Sequence, residues 1–595
     1  MSPFSWIQSI PPPLIYIIGA LCVPLLRGRL KSAFMMTLPL IAFFVLASVP
    51  EGRHWVFGLL DYDLILGRVD RLSRVFGYIF ILISFLAVIY ALKVDDDVQY
   101  VAGLIYAGSG IGVTFAGDVF TLYIFWELMA VASTFLILAR RTRASQGAAF
   151  RYILVHVFGG LCLLAGIVMY VRATGTTEFS AMRLGTPDTW LIFIGIALNA
   201  AIPPLHPWLQ DAYPEATVVG AVFLSAFTTK SAVYLMARVF PGTPLLIWLG
   251  AIMTALPIFY AVLENDIRRV LAYSLINQVG FMMCGIGIGT ELAINGAVSH
   301  AFCHILYKAL LFMSAGAVLH VTGRIRCTDL GGLYKTMPLT CLFCMVGAAS
   351  ISAFPLFSGF VSKSMIVSAA GHGHLVVVWL ILQFASAGVF HHAGIKVPFF
   401  TFFGHDSGVR AEEPPVNMLI AMGIAAFLCV FIGVYPAPLY ALLPYPVDYV
   451  PYTGAHVVGQ LQLLMFGALA FCLLILSGHY PAELRAMNLD TDWFYRRGAS
   501  GLYRLFDRGL NAINAGAERI VHSLVSQLSF LAREAPALVV LLFAVPYRAM
   551  KGAGRSELDS FKRRIYRTFE TGTLPVGLGA AAAGVVFVLF VWWNG

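Results

Sequence analysis

The sequence predicts an all-α polytopic membrane protein, and three observations carry the prediction. Of 595 residues, 59% are hydrophobic and only 12% charged, against roughly 25% charged in a soluble domain. Mean hydropathy is +0.82. A helix needs about 20 apolar residues to cross the hydrocarbon, and such runs recur at 12–26, 33–49, 76–93, 99–116, 119–138, 153–172, 189–204 and 217–240, continue to 478, and end in a last run at 574–593. That length criterion gives roughly 15 spans, about 14 in a core and one at the C-terminus.

The other compositional features narrow the function. The nine cysteines are scattered through apolar runs, so no disulfide framework is expected, and Cys341 and Cys344 read as packing residues. Met1 to Trp6 lacks a basic n-region, so the first span is expected to be retained rather than cleaved. Lys and Arg cluster in alternate loops: Arg27, Arg29 and Lys31, then Arg140, Arg141 and Arg143, then Arg268 and Arg269, then Arg324, Arg326 and Lys335. The positive-inside rule puts those loops in the cytoplasm and the N-terminus outside. The net charge of +9 is thus read as topology plus a basic C-terminal segment, not as a nucleic-acid footprint.

Costly residues sit deep in several spans. In "SHAFCHILYKALLF" (299–312), His300, His304 and Lys308 are four apart, so they drift only about 40° per step and form one stripe roughly 12 Å long on a helix face. Three readings compete: satisfied interhelical hydrogen-bonding groups, a hydrated proton path, or a His-x-x-x-His metal site. The metal reading lacks a carboxylate, and the next rung is a cation. The Lys alone costs about 2.5–3.5 kcal/mol at mid-membrane. Glu127 in "FWELM" and Lys230 in "TTKSAVYLMAR" lie at similar depth. Static salt bridges or a switchable relay would each account for them. Helix breakers form a second pattern: Pro203, Pro204 and Pro207 end one span, and Pro355 with Gly359 interrupts another. Breaks at matching places in two halves point to inverted repeats with ion sites at the breaks.

In order along the chain, "FWELM", "PLHPWLQDAYPEA" (204–216), "TTKSAVYLMAR", "DIRRVLAYSLINQVGFM" (266–282), "SHAFCHILYKALLF" and "FPLFSGFVSK" resemble the signature segments of the antiporter-like subunits of respiratory complex I, of Mrp-type cation/proton antiporters (their D- and A-like members) and of membrane-bound hydrogenases. The resemblance covers roughly 60–480. It implies two inverted five-helix repeats, each with a broken helix, and a midplane chain of buried charges that moves protons. Carried over, the path is Glu127, Lys230, His300, His304, Lys308 and Lys363, with Asn199, His206, His391 and Lys396 as possible further stations, Lys396 toward an exit. The ladder would pass protons from His304 through Lys308 toward Lys363. Two departures matter. Asn199 stands where the family usually has a lysine pairing with the glutamate, and it carries neither charge nor proton; either Glu127 pairs with Lys230 or another cation, or the first half-channel works differently or poorly. Arg268 replaces a lysine and suits structure better than relay.

The expected organisation is 1–98, N-terminal helices; 99–240 and 241–404, the two half-channels; 405–480, additional helices; 481–570, an amphipathic interfacial or lateral segment; and 571–595, a final transmembrane helix. From 500 to 533, Leu502, Phe506, Leu510, Ile513, Ile520, Leu524, Leu528 and Leu531 share a face among charges. Pro536 and Pro546 are expected to interrupt any continuous rod. In the family's largest members a lateral helix runs along neighbouring subunits, and a purely lipid-surface helix is the alternative.

The functional expectation is an ion-translocating, non-enzymatic subunit of a larger complex in the cell (inner) membrane, carrying protons and possibly Na+ or K+. The alternative is a structural or energy-coupling subunit with vestigial conduction in an inorganic-carbon uptake or hydrogenase-like complex. The sequence contains no strand-turn-helix nucleotide loop and no iron–sulfur Cys cluster, so no cofactor is expected, and any redox chemistry would belong to partner subunits.

Overall fold

The computed structural model describes residues 10–60, 62–481, 490–491, 493–570, 584, 586–588 and 590–593. The chain divides into two units, residues 1–492 and 493–595. The expected final span at 571–595 lies mostly outside the described residues.

The first unit opens with α1 (Pro12–Cys22) and α2 (Gly28–Ser48), then a hairpin of β1 (Gly52–Leu59) and β2 (Tyr62–Val69). There follow α3 (Arg71–Ala91), α4 (Asp97–Phe115), α5 (Val119–Leu138), α6 (Arg143–Thr174), α7 (Pro187–Asn199), α8 (Pro207–Ala212), α9 (Val218–Ala226) and α10 (Thr228–Val239). The remainder is α11 (Pro244–Leu263), α12 (Ile267–Ile288), α13 (Glu291–Thr322), α14 (Pro338–Ile351), α15 (Ser358–His372), α16 (Val376–Val389), α17 (Val416–Val434), α18 (Ala437–Leu442) and α19 (Gly454–Leu476). Among the described residues, thirteen helical stretches are long and apolar enough to cross a membrane, and Pro12–Leu25 and Pro338–Ile351 are shorter apolar helices.

Among the described residues the hairpin is the one departure from an all-α chain. It pairs Gly52 with Val69 and Leu59 with Tyr62, and the alternation of "HWVFGLLDYDLILGRV" signals it. Reading only for spans passes from 49 to 76 and misses it. The hairpin is stitched to the bundle by Asp118, whose carboxylate caps α5 through the Phe120 and Thr121 amides and also accepts the Ile65 amide at 2.6 Å.

The basic loops share one face. Lys31 pairs with Asp97 at 2.6 Å, Arg141 with Asp96 at 3.5 Å and Arg140 with Glu215 at 3.1 Å, while Asp266 bridges to Arg326. On that face Arg268, fully buried, donates to the carbonyls of Tyr213, Ala216 and Thr217 at 3.1–3.3 Å. This is the structural role that a permanently charged side chain suits.

Both broken helices are present. The first stops at Asn199 and resumes at Pro207, so the apolar run 189–204 is not one continuous helix; the second stops at Ile351 and resumes at Ser358. At the centre runs α13, 32 residues long and buried from Ala293 to Val318, packed against α3, α9, α12, α14, α15 and α17. Beside it α11 and α12 meet backbone to backbone. A Cβ added at Gly250 would lie 2.5 Å from the Cys284 nitrogen and 2.7 Å from the Gly280 oxygen, and one at Gly287 would lie 2.5 Å from the Ile247 nitrogen. Only glycine permits that approach.

The second unit contains α20 (Ala499–Met550) and α21 (Arg555–Glu570). Here one expectation is overturned: Pro536 and Pro546 lie inside α20, which continues through both. Each proline removes one amide donor and strains one turn, and the turns on either side retain their own bonds, as they do around Pro39 in α2 and Pro257 in α11.

Candidate proton pathway

The ladder on α13 is fully buried and is met by polar groups from two other helices. His300 Nδ1 lies 3.1 Å from the Ser362 hydroxyl of α15, and Nε2 lies 3.1 Å from Gln278 Oε1 of α12. The Tyr307 hydroxyl donates to the same Gln278 oxygen at 3.1 Å. Lys308 donates to the hydroxyl of Ser274, one turn before Gln278 on α12. His304 sits between, its ring 6.3 Å from His300 and 5.2 Å from Tyr307, and neither of its nitrogens has a hydrogen-bond partner among the described residues. A buried imidazole with two unfilled nitrogens is an expensive arrangement that water can satisfy.

The two flanking lysines bond to carbonyls freed by helix breaks. Lys230 donates at 2.6 Å to Ser225, where the helix is interrupted at Phe227. Lys363 donates at 2.9 Å to Ile351, the last residue of α14. Breaks of this kind expose backbone acceptors inside a membrane protein. Lys363 also opens onto a cavity of about 810 Å³ whose polar lining includes Ser364, Ser368, His372, Gln383, Thr453, His456 and Gln460. Since Ser362 adjoins Lys363, the ladder meets the second broken helix at its His300 end. The order expected from sequence runs from His304 through Lys308 to Lys363; in the fold the Lys308 ammonium bonds to Ser274 of α12, and His300 is the member of the ladder that meets Ser362 beside Lys363.

Other expected stations stand apart. Glu127 forms no ion pair with Lys230 or with any other described cation within 4 Å. Its carboxylate lies over Gly160 of α6, with Oε1 buried and lacking a partner among the described residues. Asn199 is buried at the end of α7, its amide turned to the side chain of His156. Beside it lies His156, whose ring is 4.6 Å from Trp208 and 4.0 Å from Tyr152. Sequence reasoning passed over His156, although an imidazole in "YILVHVFGG" carries the same signal as Glu127 and Lys230. Lys396 lies in a π-helical turn and caps α11, donating to the carbonyls of Ala261, Val262 and Glu264 at 3.3, 2.7 and 2.6 Å. That places it on the basic face, and His391 packs beside Phe471 and Tyr480. In the loop that Lys396 holds, burial pushes the Glu264 carboxyl above the usual carboxylate range, opposed by Arg269. Among the described residues no group of three His, Cys, Asp or Glu is placed to hold a metal ion.

A helical bundle with broken helices and a buried line of protonatable groups defines a class, the antiporter-like membrane subunit. Residues 116–388 match the family described as NADH:quinone oxidoreductase/Mrp antiporter, transmembrane. It is 27% identical over 594 residues to a protein named as the A component of an Na(+)/H(+) antiporter from Alkalihalophilus pseudofirmus, an alignment covering 87% of this chain and 72% of that one. A chain of the Mrp complex from Dietzia sp. DQ12-45-1b shares the fold with a TM-score of 0.74 at 24% identity, over 88% of this chain and 62% of that chain. A chain of the membrane-bound sulfane sulfur reductase, an archaeal respiratory membrane complex, matches with a TM-score of 0.66 and 26% identity over 76% of this chain and 98% of its own.

Proposed function

We propose that this chain is a proton-translocating subunit of a larger membrane assembly of the Mrp, complex I or membrane-bound reductase type, exchanging protons for Na+ or K+. Residues 99–240 and 241–404 are its two half-channels, related as inverted repeats, and the basic face is cytoplasmic with the N-terminus outside. Redox chemistry belongs to partner subunits. One observation carries the reading: His300, His304 and Lys308 form a fully buried line in which His300 and Lys308 bond to hydroxyls and an amide rather than to carboxylates, and both His304 nitrogens are unpartnered among the described residues. A static salt-bridge network would need counter-charges there. Hydroxyls, imidazoles and water suit the passage of a proton. The cavity beside Lys363 supplies the opening of the second half-channel.

A second reading, a coupling subunit with vestigial conduction, is favoured by the uncharged Asn199 and by Glu127 having no ion pair among the described residues. One experiment separates the two. Lys308→Met keeps the helix and breaks the wire, and Lys308→Arg keeps the charge but does not release its proton. Both should assemble on native gels and lose pH-gradient formation in vesicles containing the complex. Near-wild-type transport by Lys308→Arg would reduce the residue to a fixed charge and remove the relay.

A further inference from the structure

The first broken helix lacks a titratable group at Asn199, yet a carboxylate reaches it from far along the chain. Asp490 lies beyond the last helix of the first unit, 280 residues from Gln210, and is 7% exposed. Its Oδ2 accepts the Gln210 amide at 2.8 Å and the Tyr273 hydroxyl at 3.0 Å. Its Oδ1 lies 3.3 Å from His206 Nε2 and accepts the Thr491 amide at 2.6 Å. Four donors fill the acceptor sites of a carboxylate, so its burial is matched atom by atom rather than left as a cost. The Thr491 hydroxyl donates to the Pro204 carbonyl at 3.2 Å, fastening the same stretch to the break itself.

His206 is 1% exposed, and its Nδ1 has no partner among the described residues. An imidazole with a carboxylate on one nitrogen and the other nitrogen open can take up a proton and pass it on. The surrounding charges are otherwise committed. Asp211, next to Gln210, holds Arg151 of α6 at 2.6 and 2.9 Å. Glu264 and Arg269, before and within α12, act on Tyr273, which stacks on Tyr260 at 5.4 Å.

We propose that His206 and Asp490 together form the protonatable station of the first broken helix, on the side of the basic face, in place of a charge at position 199. This rests on the proton-translocating reading above and adds to it a named residue from the stretch just ahead of α20. Asp490 is a positioning residue for His206: it orients the ring through Nε2 and offsets the charge of the loaded imidazole.

The test uses the assembled complex in inverted vesicles, with assembly checked on native gels and transport followed as dye-reported acidification. Asp490→Asn and His206→Gln should each lower transport by at least about tenfold, as expected on removing a proton-transfer group. The double variant should be no slower than the slower single one, and Asp490→Glu should restore at least half of the rate. Two results overturn the proposal: Asp490→Asn working within twofold of wild type while Glu127→Gln is inactive, or Asp490→Glu failing as badly as Asp490→Asn. If Asp490→Asn does not assemble, the decision falls to His206→Gln and Asp490→Glu, where wild-type transport by the former or failure of the latter refutes the pair. Normal transport by Asp490→Asn, Glu127→Gln and Lys308→Met together would instead refute the proton-carrying function itself.

Discussion

Gly160→Ala is a small change with an unequal effect on stability and on transport. A Cβ at position 160 meets the Glu127 carboxylate head-on, with Glu127 Cδ only 2.8 Å away. Carbon atoms rest at about 3.5–4.0 Å, so the carboxyl group has to retreat by about 1 Å. It sits at the end of a flexible side chain, and leaving its rotamer costs about 0.5–1.5 kcal/mol. Replacing a mid-helix glycine by alanine returns about 0.5–1 kcal/mol. The two nearly cancel, and the thermal midpoint of the purified protein should move little. Transport responds differently, because moving a proton-carrying group by 1 Å can cost about a hundredfold. Gly159→Ala is the control: the nearest atoms to its Cβ would be those of the Leu198 side chain, from 3.3 Å. The assay is vesicle transport beside a melting curve for both variants. Wild-type transport by Gly160→Ala would show that the position of Glu127 does not matter.

At Gly359 the obstacle is backbone. A Cβ there would strike the Ser350 carbonyl, with Ala353 Cα at 3.5 Å, and Gly359→Ala should destabilise by about 1–3 kcal/mol, read as an earlier melt or failed insertion. Glu127→Gln preserves size while removing titration; assembly should persist on native gels and coupled transport should vanish. Deleting residues from 500 onward should release the chain from its complex or uncouple it, and a fully coupled complex after that deletion would reduce the segment to a lipid-surface helix.

How legible each feature is depends on how local its signal is. The ladder is legible because His300, His304 and Lys308 repeat every four residues inside one apolar helix, and the breaks are legible because proline removes an amide wherever it stands. The hairpin carries a local signal too, hidden by its setting between two spans. Pro536 and Pro546 mislead because a proline's local penalty does not say whether the flanking turns can hold a helix through it. The contact at His206 is illegible for a different reason: nothing about Asp490 in its own neighbourhood distinguishes it from any loop carboxylate, and only the folded chain brings it to Gln210 and Tyr273. The link from His300 to Ser362, beside Lys363, is likewise tertiary information, set by packing that no spacing encodes.

The glycine seam between α11 and α12 makes a rigid wall within the bundle. Helices that touch through their backbones cannot slide or tilt without first parting, and collective helix motions of that kind occupy microseconds to milliseconds. Ser274 and Gln278, the partners of Lys308 and His300, ride on the seamed helix. They present a fixed hydroxyl and a fixed amide to Lys308 and His300. On the proton-translocating reading proposed above, rearrangements along this wall are those of side chains alone, with the two helix backbones held in place.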